Sequence, residues 1–161
     1  MSTLESLGED AFASSPPRLS TRASNILIAD DDDDLRALVT SGLRMDGHHI
    51  IAARDGVELL EYIASTLIFD ETAAYPDLIL TDIRMPGFSG MSVLAGLRDQ
   101  RWTTPIIVMT AYSDERTRAD AHRLGASAFF SKPFDLDDLR TAVINLVPRR
   151  SAGRRRASET W

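Results

Sequence analysis

Short apolar runs recur along the chain, and between them apolar residues return at every third or fourth position. Five runs read as strands: Ile26-Leu-Ile-Ala, His48 to Ala53, the residues leading to Asp82, Pro105-Ile-Ile-Val-Met, and Ala126-Ser-Ala-Phe-Phe. Most are apolar throughout and do not alternate with polar residues, which marks strands covered on both faces of a parallel sheet. Four stripes at helical spacing separate or follow them. The first holds Leu35, Leu38, Val39 and Leu43 behind a cap at Asp32 or Asp33, and the second Val57, Leu60, Ile63 and Leu67 behind Asp55. The third runs from Met91 to about Arg101 and buries Val93, Leu94 and Leu97. The last follows Asp135, turns Leu136, Leu139, Val143 and Leu146 or Val147 inward, and stops at Pro148. A fifth helix, Ser113 to Arg123, is predicted by propensity, but its apolar content is little beyond Ala119, Ala121 and Leu124. It should be held weakly to the sheet.

Strands alternating with helices predict an α/β fold in which right-handed crossovers produce a doubly wound, three-layer sandwich. In such sheets a ligand site lies at the carboxyl ends of the strands. The residues there are polar. Asp30 and Asp31 follow the first strand, Asp82 ends the third, Thr110 ends the fourth, and Lys132 follows the fifth. A carboxylate at the tip of a buried strand is costly unless a cation or strong donors meet it. The five aspartates from Asp30 to Asp34 are not all explained as a helix start, because capping accounts only for the later ones.

Composition narrows the chemistry. The 161 residues are one ordinary domain plus tails, and they contain no cysteine, so disulfides, thiolate zinc sites and cysteine nucleophiles are excluded. Nowhere do about 18 apolar residues run together as a membrane span needs. The first ten residues lack the pattern of a secretory signal, and a cytoplasmic protein is expected. Residues 24–147 carry twenty acidic against eleven basic side chains, whereas 148–161 carries five arginines and one glutamate. An acidic body repels phosphate backbones, which argues against the domain face as a nucleic-acid binder. Lys132 is the single lysine. That suits a position where a compact ammonium is needed and a planar fork would not fit.

Three carboxylates without histidine or cysteine select a hard divalent cation such as Mg2+, which keeps waters and expects a phosphate to complete its shell. A hydroxyl at Thr110 and an ammonium at Lys132 beside such an ion suit a phosphoryl group, with Asp82 as its nucleophile. His48 and His49 are read as structural.

The motifs Ile28-Ala-Asp-Asp, Leu80-Thr-Asp-Ile-Arg-Met-Pro-Gly, Val108-Met-Thr-Ala and Ser131-Lys-Pro-Phe stand in that order. From about Asn25 to Val147 the chain thereby resembles the response-regulator receiver domain of two-component signalling, chemotaxis-regulator type. The resemblance implies a flavodoxin-like sheet of order 2-1-3-4-5. It implies Asp82 as phosphoacceptor, with Asp30, Asp31, Asp82 and the carbonyl of Arg84 around Mg2+. Thr110 and Lys132 would bind the phosphoryl group, the Lys132–Pro133 bond would be cis, and Phe129 would be the aromatic switch. Arg84 and Tyr112 would flank the phosphate beside a small Ala111 and set its lifetime. Phosphorylation by a sensor histidine kinase or phosphotransfer protein would switch the face of helix 4, strand 5 and helix 5 for a downstream protein. The chain would be a phosphoacceptor and not an enzyme acting on a separate substrate.

Two other readings compete. A haloacid-dehalogenase-type phosphohydrolase would use Asp30 as nucleophile and Asp32 as acid, but position 34 is Asp and the Asp82 motif would go unexplained. A receiver-like binding module that is never phosphorylated usually loses an acidic residue or the lysine, and neither is lost. Residues 1–24, centred on Ser14-Ser-Pro-Pro17, are expected to be a disordered extension, and 148–161 a basic tail too short for a DNA-binding domain. A stand-alone regulator follows as the expectation, with its oligomeric state open.

Overall fold

A computed structural model of the chain describes residues 23–68 and 75–147. The extension expected at 1–24, except its last two residues, the loop expected over Phe69 to Tyr75, except Tyr75, and the basic tail at 148–161 lie outside the described residues. Five parallel strands stand in the order β2-β1-β3-β4-β5: β1 Asn25–Ala29, β2 His49–Ala53, β3 Leu78–Asp82, β4 Ile106–Thr110 and β5 Ala128–Ser131. Between and after them run α1 Asp33–Met45, α2 Gly56–Ile68, α3 Gly90–Asp99, α4 Glu115–Arg123 and α5 Leu136–Leu146. The doubly wound sandwich is the one expected from the alternating elements, and the strand order is the flavodoxin-like one that the resemblance implies.

Apolar strands follow from two cores, one on each face. Side chains alternate across a strand, so β1 sends Leu27 and Ala29 to one side and Ile26 and Ile28 to the other. Likewise Ile79, Ile106 and Val108 pack with Leu59 and Ile63 of α2, Val93, Leu94 and Leu97 of α3, and Ala121 of α4. Leu78, Leu80, Ile107 and Met109 pack with Val39 and Leu43 of α1 and Leu139 and Val143 of α5. Strands β3 and β4 are therefore buried at every position, while β5, at the edge, is only half-buried.

Helix caps sit where short polar residues precede the apolar stripes. Asp32 accepts from the N–H of Leu35, Asp114 from Thr117 and Asp135 from Asp137, each satisfying an otherwise orphaned donor. Asp55 accepts from the N–H of Glu58 ahead of α2. Three stripe positions depart from expectation: Leu38 is 55% exposed, Val57 41% and Leu67 52%. In α2 the buried face is rotated from the expected stripe and runs through Gly56, Leu59, Ile63 and Thr66, which leaves Val57 and Leu67 outside it. Strand β5 begins at Ala128, two residues later than predicted, because Gly125 at φ +89° turns the chain and Ala126 still donates to the carbonyl of Ala121. Helix α4, whose expected apolar content is little beyond Ala119, Ala121 and Leu124, buries Ala121 alone.

A long-range ion pair fastens α1 to α5. Arg140 donates from Nε to Asp46 Oδ2 at 2.8 Å, and its hydrogen bonds hold the Asp46 carboxyl below the ordinary 3.8. A carboxyl whose folded pKa is depressed stabilises the fold above 3.8 and loses that contribution as pH falls through the folded value. Asp46→Asn is therefore expected to lower the urea midpoint at pH 7, and the gap to the wild type should close below pH 3.8. Urea titrations at both ends of this range check it.

Candidate functional site

The strand register assembles the polar tips. Ala29 pairs with Thr81, so the next residues, Asp30 and Asp82, stand side by side at the upper edge of β1 and β3. Thr110 ends β4 beside them and pairs with Ser131, after which the chain reaches Lys132. Strand β5 is two places from β3, roughly 10 Å at ordinary strand spacing, so only a long side chain from Lys132 spans β4 to reach Asp82. It does so. Lys132 Nζ donates to Asp82 Oδ2 at 2.7 Å. It also forms a second ion pair, 2.7 Å from Asp30 Oδ2. The Lys132–Pro133 bond is cis, as expected.

Oxygens of Asp30, Asp31 and Asp82 lie within 4.8 Å of one another, the first and third buried and Asp31 exposed. Burial is the largest influence on Asp30 and raises its carboxyl above the ordinary value, against the lowering contacts with Lys132 and the N–H of Asp32. Burial also opposes the Lys132 charge, but the contacts with Asp30 and Asp82 outweigh it and the ammonium is held above its ordinary value. One ammonium serves this three-carboxylate cluster and pairs with two of its members, Asp30 and Asp82. The site is thus short of positive charge. A hard divalent cation fits this donor set, which is all oxygen and carries excess negative charge.

The remaining partners frame the pocket. Arg84 donates its N–H to Asp82 Oδ1 at 3.3 Å, and Tyr112 donates its N–H to Thr110 Oγ1 at 3.0 Å. Their side chains meet, with the Arg84 guanidinium carbon 3.3 Å from the Tyr112 ring centroid, a stacking that sequence spacing did not announce. Phe129 is half-buried, and the Arg118 guanidinium of α4 lies 4.7 Å from its ring centre. His48 stands at the opposite edge of the sheet, its Nδ1 accepting from the Ser24 N–H at 3.4 Å, in keeping with a structural role. Asp32 caps α1.

Glycines hold the loop after Asp82, Gly87 from within the Leu80–Gly87 motif and Gly56 and Gly90 from outside it. A Cβ on Gly90 would sit 2.0 Å from the carbonyl oxygen of Asp82, and one on Gly56 would sit 2.0 Å from that of Phe88. Gly87, at φ +84°, closes the same loop against Val57. Gly90→Ala must push the Asp82 backbone away, and we expect it to cost about 3 kcal/mol, the upper end of ordinary overpacking. Chemical denaturation measures this, and a cost below about 0.5 kcal/mol, the range of a neutral surface change, would refute the close packing.

Comparison with known proteins decides the family. The family model described as the response regulator receiver domain matches residues 26–144. The chain belongs to this family. It is 32% identical over 126 residues to sporulation initiation phosphotransferase F of Bacillus subtilis, a match taking in 78% of this chain and 95% of that protein. It is 36% identical over 123 residues to regulatory protein AtoC of Escherichia coli, but there it spans only 25% of the relative's length against 76% of its own. A crystal structure of response regulator TrrA from Thermotoga maritima, in complex with Mg2+-BeF, matches with a TM-score of 0.64 at 32% identity, over 76% of this chain and 98% of that one. The receiver's acidic pocket is compatible with a divalent cation and with a phosphorylated aspartate. No helix among the described residues is long and apolar enough to cross a membrane.

Proposed function

We propose that this receiver accepts a phosphoryl group on Asp82 from the phosphohistidine of a sensor histidine kinase or a phosphotransfer protein, in the cytoplasm. The observation that carries the reading is the single ammonium shared between Asp30 and Asp82 inside a three-carboxylate cluster. In the transfer, a carboxylate oxygen of Asp82 forms a bond to phosphorus as the phosphorus–nitrogen bond of the donor breaks, and the departing imidazole takes up a proton. Lys132 meets the incoming negative charge, and the hydroxyl of Thr110, at the next strand tip, donates to a phosphoryl oxygen. Asp30, Asp31, Asp82 and the backbone carbonyl of Arg84 would hold Mg2+. When bound, the ion supplies charge neutralisation at the phosphoryl oxygens. The chain then catalyses only its own phosphorylation and the hydrolysis that ends it.

A new dianion at the strand tips biases whatever element is cheapest to move. Helix α4, with one buried side chain, is that element, and the α4–β5–α5 face is the proposed output surface for a downstream protein. Incubation with a small acyl phosphate and Mg2+ tests the whole reading. A mass increase of one phosphoryl group mapping to Asp82 is expected, whereas label on Asp30 would favour the hydrolase chemistry and no label would favour a binding module.

A further inference from the structure

The β1–α1 turn must hold two neighbouring aspartates, one buried and one exposed, pointing toward a third carboxylate that repels both. One side chain braces it. Arg36, 19% exposed, donates from Nη1 to the backbone carbonyl of Asp30 at 2.7 Å and from Nη2 to Asp33 Oδ1 at 2.5 Å. Its own N–H donates to the Asp32 carbonyl at 2.9 Å, and the Asp32 N–H donates back to Asp30 Oδ1 at 2.9 Å. The carbonyl of Asp30 belongs to the peptide plane that leads into Asp31. Fixing that oxygen orients the peptide plane on which Asp31 is built and leaves only rotation about its own N–Cα bond, while the bond from Asp32 holds the Asp30 carboxylate.

We infer that Arg36 is a positioning residue for the cation site: its guanidinium clamps the Asp30–Asp31 peptide so that the two carboxylates converge with Asp82 before any ion arrives. The fork matters as much as the charge. A planar guanidinium reaches the carbonyl and Asp33 at once, which an ammonium on a flexible stem does not do with the same geometry. Without the clamp, repulsion among three carboxylates splays the turn, and the ordering falls to the incoming ion. Arg36 reaches Asp30 through its carbonyl, not its carboxylate, so it leaves the ligand oxygens free.

This inference rests on the reading of the cluster as a Mg2+ site, and calorimetric titration with Mg2+ alone, without any phosphoryl donor, tests it. Arg36→Ala is expected to weaken Mg2+ binding roughly 10- to 100-fold, the usual effect of losing a group that orients metal ligands, with Arg36→Lys in between. At saturating Mg2+ the variant should again take up phosphate on Asp82, which separates positioning from chemistry. Should Arg36→Ala not fold, Arg36→Lys and Asp33→Ala carry the same test, and the Asp32 amide should exchange faster with solvent in each, since its bond to Asp30 depends on the clamp. Wild-type affinity and wild-type Asp32 protection in folded Arg36 variants would overturn the inference. Failure of the wild type itself to bind Mg2+ would instead overturn the metal reading beneath it, and the clamp with it.

Discussion

Asp82→Asn is expected to take up no phosphoryl group from either a histidine kinase or a small acyl phosphate, with its fold intact. The amide is isosteric with the carboxylate, and its one oxygen keeps either the 2.7 Å contact with Lys132 or the 3.3 Å bond from the Arg84 N–H, while its NH2 cannot accept the other. What is lost is the anionic oxygen proposed to attack phosphorus, and an amide oxygen does not replace it as a nucleophile at neutral pH. Incorporation of radiolabel should drop to background, at least 100-fold below wild type, the scale of removing a reacting group and not a tuning group. Circular dichroism and a urea titration on the same sample show that the loss is chemical. Stoichiometric label on the variant would move the phosphoacceptor elsewhere, with Asp30 the first place to look.

Lys132→Ala should lose both function and stability, and the stability loss should depend on the cation. In metal-free protein the substitution leaves Asp30 and Asp82, at most 6% exposed, facing one another without a counter-charge. Breaking a buried ion pair by deleting one partner costs about 3 kcal/mol, and the 16% exposure of the lysine side chain keeps the figure at the low end of the usual range. Urea titration with a chelator present should show that deficit at pH 7, and added Mg2+ should recover part of it. The pH dependence has a definite sign. A carboxyl whose folded pKa is raised, as that of Asp30 is, penalises the fold above the ordinary 3.8, so the deficit shrinks as pH falls toward that value. Phosphoryl uptake should fall at least 100-fold even at saturating Mg2+, since no other cationic side chain meets both carboxylates in the described structure. A variant as stable as wild type in chelator would show that the ammonium does not pair with them in solution.

The candidate residues were legible because each follows an apolar run. Asp30, Asp82, Thr110 and Lys132 are conspicuous as polar groups where buried strands end, and the type of residue at each tip already suggests the chemistry. Less was visible where the partner is backbone. Arg36 looks like one charge on a solvated helix until its guanidinium is found on the Asp30 carbonyl, and Gly90 looks like a loop residue until a Cβ there meets the Asp82 oxygen. The exposed Leu38, Val57 and Leu67 make the same point for packing: a stripe on a helix shows a facing direction, but its width in contact depends on what lies opposite.

Local patterning was thus enough for the number and kind of elements, for the two-faced burial of the strands and for the weakness of α4, since each is written within a dozen neighbouring residues. Strand order entered only through the family resemblance. The register of β1 on β3, the crossing of Lys132 over β4, the Arg84–Tyr112 stack and the Arg36 clamp belong to the folded molecule alone. They join residues from three to fifty-two positions apart, and the energy of a charge or a hydrogen bond depends on separation in space, which no periodicity along the chain encodes.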